Sequence, residues 1–211
     1  HLAIMDKYDH EHRVGLIVDE WGTWFDCEPG TNPGFLYQQN TMRDAMVAAL
    51  TLDIFNSHCD RVVMANIAQM VNVLQAVILT DGAKMICTPT YHVFDLYKAH
   101  HDANYLPSAI TCGECSGVKQ LTATASEKEG VITLTATNTS CTDALDVVVH
   151  LSGASAKNVT ARILTGDMHD KNTFEDAEKV TVKPFDAVRV TETGLTMTLP
   201  ACSVVEVTIR G

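Results

Sequence analysis

No stretch of the 211-residue chain is apolar for long enough to span a bilayer, which takes about 20 residues. Positive charge is scarce: 15 Lys and Arg stand against 26 Asp and Glu, a net charge of −11. Such a surface repels phosphate backbones and anionic lipid, so neither nucleic acid nor membrane is an expected partner. The amino-terminal text HLAIMDKYDHEHR lacks the apolar core of a secretory signal. It begins at His1 rather than Met, as expected at the edge of a longer polypeptide. A second CxxC pair is missing, so the lone CGEC at Cys112–Cys115 cannot complete a zinc knuckle. The seven cysteines are odd in number and scattered. That pattern fits reduced thiols in a cytoplasmic protein better than a disulfide framework.

What is present is a chain 46% apolar, enough to bury a real core. Its rhythm changes near residue 104. Before that point the text alternates strand and helix. RVGLIVDE (Arg13–Glu20) and DRVVMANI (Asp60–Ile67) are short apolar runs suited to buried strands. Between them Met42, Ala45, Met46, Ala49, Leu50 and Asp53 fall at helical spacing, and all but Asp53 suit one apolar stripe. A further helix is expected after Thr88 as N-cap and Pro89 at its first position, with Val93, Phe94, Leu96 and Tyr97 on the inner face. Beyond Leu106 the period is two. QLTATA, VITLTATN, LDVVVHLS, NVTARILT, AVRVTE, GLTMTLP and SVVEVTIR are separated by turn residues. The expectation is an α/β unit over 1–103 and an antiparallel β-sandwich or barrel over 104–211.

The stretch GLIVDEWGTWFD (Gly15–Asp26) ends an apolar run on two carboxylates flanked by tryptophans. A carboxylate at the carboxyl end of a parallel strand stands where loops gather, and it can serve as nucleophile, acid or base. Aromatic faces stack on the C–H faces of sugars. The residues alone leave a second reading open: Asp19 pairs with an arginine or caps a loop, and Trp21 and Trp24 are core.

Taken with FLYQQNTMRDAMVAALTLDIFNSHCDRVVMANIAQMVNVLQAVILTD, ILTGDMHDKNTFEDAEKV and LPACSVVEVTI, this motif resembles the retaining α-L-arabinofuranosidases of glycoside hydrolase family 51. The resemblance covers nearly the whole chain. It implies the last two strand–helix units of a (β/α)8 barrel followed by a jelly-roll-like sandwich. It implies Glu20 as the nucleophile, Trp24 at the aglycone entrance and Gln69 against the bound arabinose. Asp19 reads as an outer group orienting the loop, because neighbouring residues of a strand point to opposite sides. Many members carry Asn-Val where this chain has Gly22-Thr23, a departure that bears on subsite shape rather than on chemistry. The implied substrate is an arabinofuranosyl oligo- or polysaccharide, with no cofactor, and a homo-oligomer is expected.

The family's acid/base Glu follows an Asn well upstream of the nucleophile. Only nineteen residues precede Glu20, and Asp6, Asp9 and Glu11 follow no Asn. The chain therefore reads as a carboxyl-terminal fragment, inactive by itself. Two parallel strands without neighbours also leave open edges, so either the region pairs with another copy or its helices collapse onto the sandwich, and self-association is the expectation. A rival class is a carbohydrate-binding or structural module. Beyond Tyr105 only Phe174 and Phe185 remain, with no Trp, which argues for a buttress over a binding platform. No metal site is expected. His10, His12, His100 and His101 lack zincin spacing and read as solvated, and FEDAEK (Phe174–Lys179) lacks an EF-hand pattern. His58 and Cys59 read as packing residues, and the sequons at Asn138 and Asn158 as chance.

Overall fold

The computed structural model describes residues 1–211. Its elements in chain order are α1 (Leu2–Met5), β1 (Leu16–Trp21), α2 (Met42–Ser57), β2 (Val62–Ile67), β3 (Ile78–Asp81), β4 (Lys84–Cys87), α3 (Pro89–Tyr97), β5 (Asn104–Leu106), β6 (Glu114–Cys115), β7 (Val118–Lys119), β8 (Leu121–Lys128), β9 (Val131–Asn138), β10 (Leu145–His150), β11 (Asn158–Thr165), β12 (Lys183–Pro184), β13 (Val188–Thr191), β14 (Gly194–Leu199) and β15 (Ser203–Arg210). The chain is mostly β, with few helices.

β1 and β2 pair in parallel, with α2 between them in sequence. A parallel pair needs such a crossover, because a tight turn can only reverse the chain. α3 begins as its sequence dictates: Thr88 Oγ1 accepts from the Tyr91 amide at 3.4 Å, and Pro89 occupies the first helical turn, where no amide hydrogen is required. The β3–β4 hairpin was not anticipated. Its signal is the Asp81-Gly82 pair, with Gly82 at φ +57°, in the left-handed region a tight hairpin turn demands.

All seven strands expected from the period-two text form, as β8, β9, β10, β11, β13, β14 and β15. They build two antiparallel sheets. One has six strands in the order β12-β11-β15-β9-β8-β5, the other three in the order β10-β14-β13. Side chains alternate across the larger sheet. Val205, Val207, Ile209, Leu134 and Ile163 face the smaller sheet and pack on Leu195, Met197 and Leu199. Val204 and Leu164 face the other way, onto Met42, Ala45 and Ala49 of α2 and Val93 and Leu96 of α3. The order of layers is therefore helices, large sheet, small sheet. Alanines on α2 let the helix lie close to the strands.

The helix–sheet layer also holds buried polar groups. Asp53 is buried on the inner face of α2, whereas Leu50 is half-buried, which corrects the expected stripe. The Asp53 carboxylate accepts hydrogen bonds from Tyr97 Oη at 2.8 Å, Thr124 Oγ1 at 2.7 Å and Thr122 Oγ1 at 2.6 Å. Burial raises its pKa to about 6, against the lowering effect of the hydroxyl donors. His100, expected in solvent, is instead half-buried, with Nδ1 2.7 Å from Ser126 Oγ and Nε2 3.0 Å from Thr135 Oγ1. Burial lowers its pKa to about 4, so the ring is neutral at pH 7. His58 and Cys59 are exposed rather than packed. Asn138 of the first sequon is fully buried, and its Nδ2 donates to the carbonyls of Asp143, Leu199 and Pro200.

The amino-terminal residues are tied beneath the parallel pair by Arg61, which is 1% exposed. Its guanidinium donates to Asp9 Oδ2 at 2.7 Å, to the Val14 carbonyl at 3.0 Å and to Asp6 Oδ1 at 3.3 Å. The Arg61 hydrogen bond holds the Asp9 pKa down at about 2.

Candidate active site

The two tryptophans of the DEW stretch part company. Trp21 ends β1 and turns inward, 5.5 Å edge-on to Phe55 of α2 and 6.1 Å from Phe94 of α3. It anchors the strand end to both helices. Trp24, three residues later, is 68% exposed. Of the two open readings, core describes Trp21, and a free aromatic face describes Trp24.

Asp19 and Glu20 are both exposed near the carboxyl end of β1. Neither carboxylate forms a hydrogen bond or ion pair with another side chain of this 211-residue chain. β1 leads into a loop that passes beside the loop following β2. The Ala68 amide donates to the Trp21 carbonyl at 3.0 Å, which carries the parallel ladder one step past the strands. Gln69 follows directly and is exposed. The topology thus brings Glu20, Trp24 and Gln69 to the same end of the parallel pair.

The loop after β1 is held by side chains other than the two carboxylates. The Phe25 amide donates to Gln38 Oε1 at 2.7 Å, and Gln38 Nε2 donates to the Thr23 carbonyl at 3.1 Å. Thr23 Oγ1 donates to Asp44 Oδ1 at 2.8 Å. The Arg43 guanidinium lies 3.6 Å over the Phe25 ring, a cation–π contact. Gln38 and Asp44 are buried. Neither stands out as a site residue in the sequence, although Thr41-x-x-Asp44 before an apolar run is a helix-start pattern and the polar text YQQNT leads into it.

Gly22 sits between these anchors at φ +141°. A Cβ there would stand 2.6 Å from Gln75 Cγ. Gln75 is itself fully buried, and its Nε2 donates to Asp44 Oδ1 at 2.9 Å and to Asn40 Oδ1 at 3.4 Å. The glycine is required twice, by its backbone angle and by the side chain against it.

The parallel β–α–β unit seated on a two-sheet sandwich is an arrangement that this chain shares with solved glycoside hydrolases. The family 51 arabinofuranosidase from Xanthomonas axonopodis pv. citri superposes with a TM-score of 0.93 at 45% identity, covering 99% of this chain and 44% of that one. The family 51 α-L-arabinofuranosidase from Bifidobacterium longum gives 0.82 at 28% identity, over 93% of this chain and 42% of that one. The chain belongs to the α-L-arabinofuranosidase C-terminal domain family, which it matches over residues 19–203. It is 46% identical over its whole length to an intracellular exo-α-L-arabinofuranosidase of Bacteroides ovatus, of which it covers 42%. The chain thus spans less than half the length of the relatives it matches.

Proposed function

We propose that this chain is the carboxyl-terminal part of an exo-acting α-L-arabinofuranosidase that removes terminal arabinofuranosyl residues from arabinan- or arabinoxylan-type saccharides. Residues 1–103 would be the last two strand–helix units of a (β/α)8 barrel, and 104–211 the sandwich that buttresses it. Ile17, Val63 and Met64 on the parallel pair are exposed apolar side chains, which supports further strands lying against them.

Glu20 is the proposed nucleophile of a retaining double displacement. Its carboxylate attacks the anomeric carbon while a second carboxyl, about 5 Å away, protonates the leaving oxygen and later activates water. That second carboxyl belongs to the upstream part of the enzyme. Trp24 offers a face to the leaving group, Gln69 reaches the bound sugar, and Asp19 directly precedes the nucleophile at the irregular end of β1. The observation that carries the reading is the position of Glu20. It is exposed at the carboxyl end of a parallel strand, in a chain 46% identical to an exo-α-L-arabinofuranosidase.

The 211-residue chain alone is then inactive. Loss of a general acid costs about 10²- to 10⁴-fold in rate, and loss of substrate positioning can cost roughly 7–11 kcal/mol more. The test is an assay of the isolated chain on an aryl α-L-arabinofuranoside beside a longer polypeptide that contains it. Turnover by the isolated chain that Glu20→Gln abolishes would overturn the division of labour. The uncovered strand edges lead the isolated chain to self-associate, and the intact enzyme is assigned to the cytoplasm as a homo-oligomer.

A further inference from the structure

Asp44 is 0% exposed, yet both of its carboxylate oxygens are engaged, by three separate segments. Oδ2 accepts from the Thr41 amide at 2.8 Å, from Thr41 Oγ1 at 3.1 Å and from the Arg43 guanidinium at 3.2 Å. These bonds fold the carboxylate onto the start of its own helix, where the helix dipole favours negative charge. Helix initiation needs nothing more. Oδ1 is left for two groups that have no part in α2. One is Thr23 Oγ1 at 2.8 Å, from the loop after β1, and the other is Gln75 Nε2 at 2.9 Å, from the loop after β2.

The two loops touch at this point. Gly22 lies so close to Gln75 that a Cβ would approach its Cγ to 2.6 Å. Trp24 directly follows Thr23, and Gln69 and Gln75 lie on the same loop between β2 and β3. Hydrogen bonds to a charged acceptor are stronger than those between neutral groups, and inside the protein there is little water to compete for them. A carboxylate here therefore tethers more stiffly than an amide would.

We propose that Asp44 is a positioning residue of the Glu20 site. Through Thr23 and Gln75 its buried carboxylate locks the loop bearing Trp24 against the loop bearing Gln69, and so sets the cleft entrance on the leaving-group side. The inference rests on the site reading above. Asp44 itself touches no substrate.

Thr23→Val tests it, since the change keeps the shape, removes one donor and leaves the Oδ2 bonds intact. The first readout is hydrogen exchange in the 211-residue chain. The Phe25 amide, held by Gln38 at 2.7 Å, should exchange about tenfold faster, the effect of one lost hydrogen bond. Thr23→Ser keeps the hydroxyl and restores the slow rate. Thr51→Val, whose hydroxyl donates to the Val47 carbonyl within α2, leaves it unchanged. Gln75→Met removes the donor from the opposite loop and gives the same acceleration, should Thr23→Val not fold. The second readout is kinetic, in a longer polypeptide containing this chain. Thr23→Val should raise KM for an arabino-oligosaccharide while kcat on a small aryl arabinofuranoside stays at the wild-type value. Unaltered Phe25 exchange in both variants would overturn the tether. Faster exchange with an unaltered KM would overturn the positioning role. A wild-type polypeptide without turnover would overturn the site reading and the positioning role with it, whatever the exchange shows.

Discussion

Tyr97 on α3 donates from Oη to Oδ1 of Asp53 on α2, at 2.8 Å, inside the layer where both helices meet the large sheet. Thr122 and Thr124 of β8 complete the set of donors. A carboxylate held by neutral hydroxyls in a buried layer is satisfied in geometry but short of positive charge, and the consequences are measurable.

The Asp53 pKa is raised from 3.8 to about 6, so the folded state binds its proton more tightly than the unfolded state. Its contribution to stability is fully present below pH 3.8 and is lost as pH rises through about 6. At pH 7 the ionised form costs roughly 3 kcal/mol. Asp53→Asn should therefore be as stable as wild type at pH 7, or more stable by up to that amount, as read from urea midpoints. A variant several kcal/mol less stable would show that the charge is needed.

His100 has the opposite sign. Its pKa is lowered to about 4, so its contribution is present above pH 6.5 and is lost as pH falls through about 4. Between these values the two groups oppose each other, and their sum in wild type is nearly flat. In Asp53→Asn the opposition is gone, and stability should fall steadily as pH drops from 6.5 to 4. A flat profile in that variant would contradict the account.

Truncating the two tryptophans should separate structure from surface. Trp21→Ala removes the ring packed on Phe55 and Phe94 and should cost about 3–5 kcal/mol. Trp24→Ala removes an exposed ring and should stay within about 0.5 kcal/mol of wild type. Denaturant unfolding of both variants checks the contrast.

Gly22→Ala should destabilise by about 1–3 kcal/mol, through backbone strain and the contact with Gln75. Gln75→Ala in the same chain opens the space and should return part of that loss. A double-mutant cycle with no coupling would mean the contact carries no energy.

The seven sandwich strands were legible because each is a short run rich in β-branched residues, near a period of two, and ends at turn residues, as in Glu129-Gly130 between β8 and β9. The parallel pair was legible because Leu16–Val18 and Val62–Met64 are short apolar runs around an amphipathic stretch. Strand limits shifted, with β1 covering Leu16–Trp21 rather than Arg13–Glu20. Asp53 and His100 were misjudged because the hydroxyls that make their burial tolerable lie on strands far along the chain. The same holds for the loop anchors. Gln38, Asp44 and Gln75 are ordinary polar letters until the fold brings their partners together. Which of Trp21 and Trp24 turns inward depends on Phe55 and Phe94, which no local pattern reveals.

The most direct test concerns Glu20. A longer polypeptide containing this chain would be trapped in mid-reaction with a slow fluorinated aryl arabinofuranoside, and its peptides weighed. The account predicts one added fluoroarabinofuranosyl group on the peptide spanning Gly15–Asp26, with the aryl group released, attached to Glu20 and absent from Glu20→Gln. A label on any other residue, or none on an enzyme that still turns over its substrate, would contradict it.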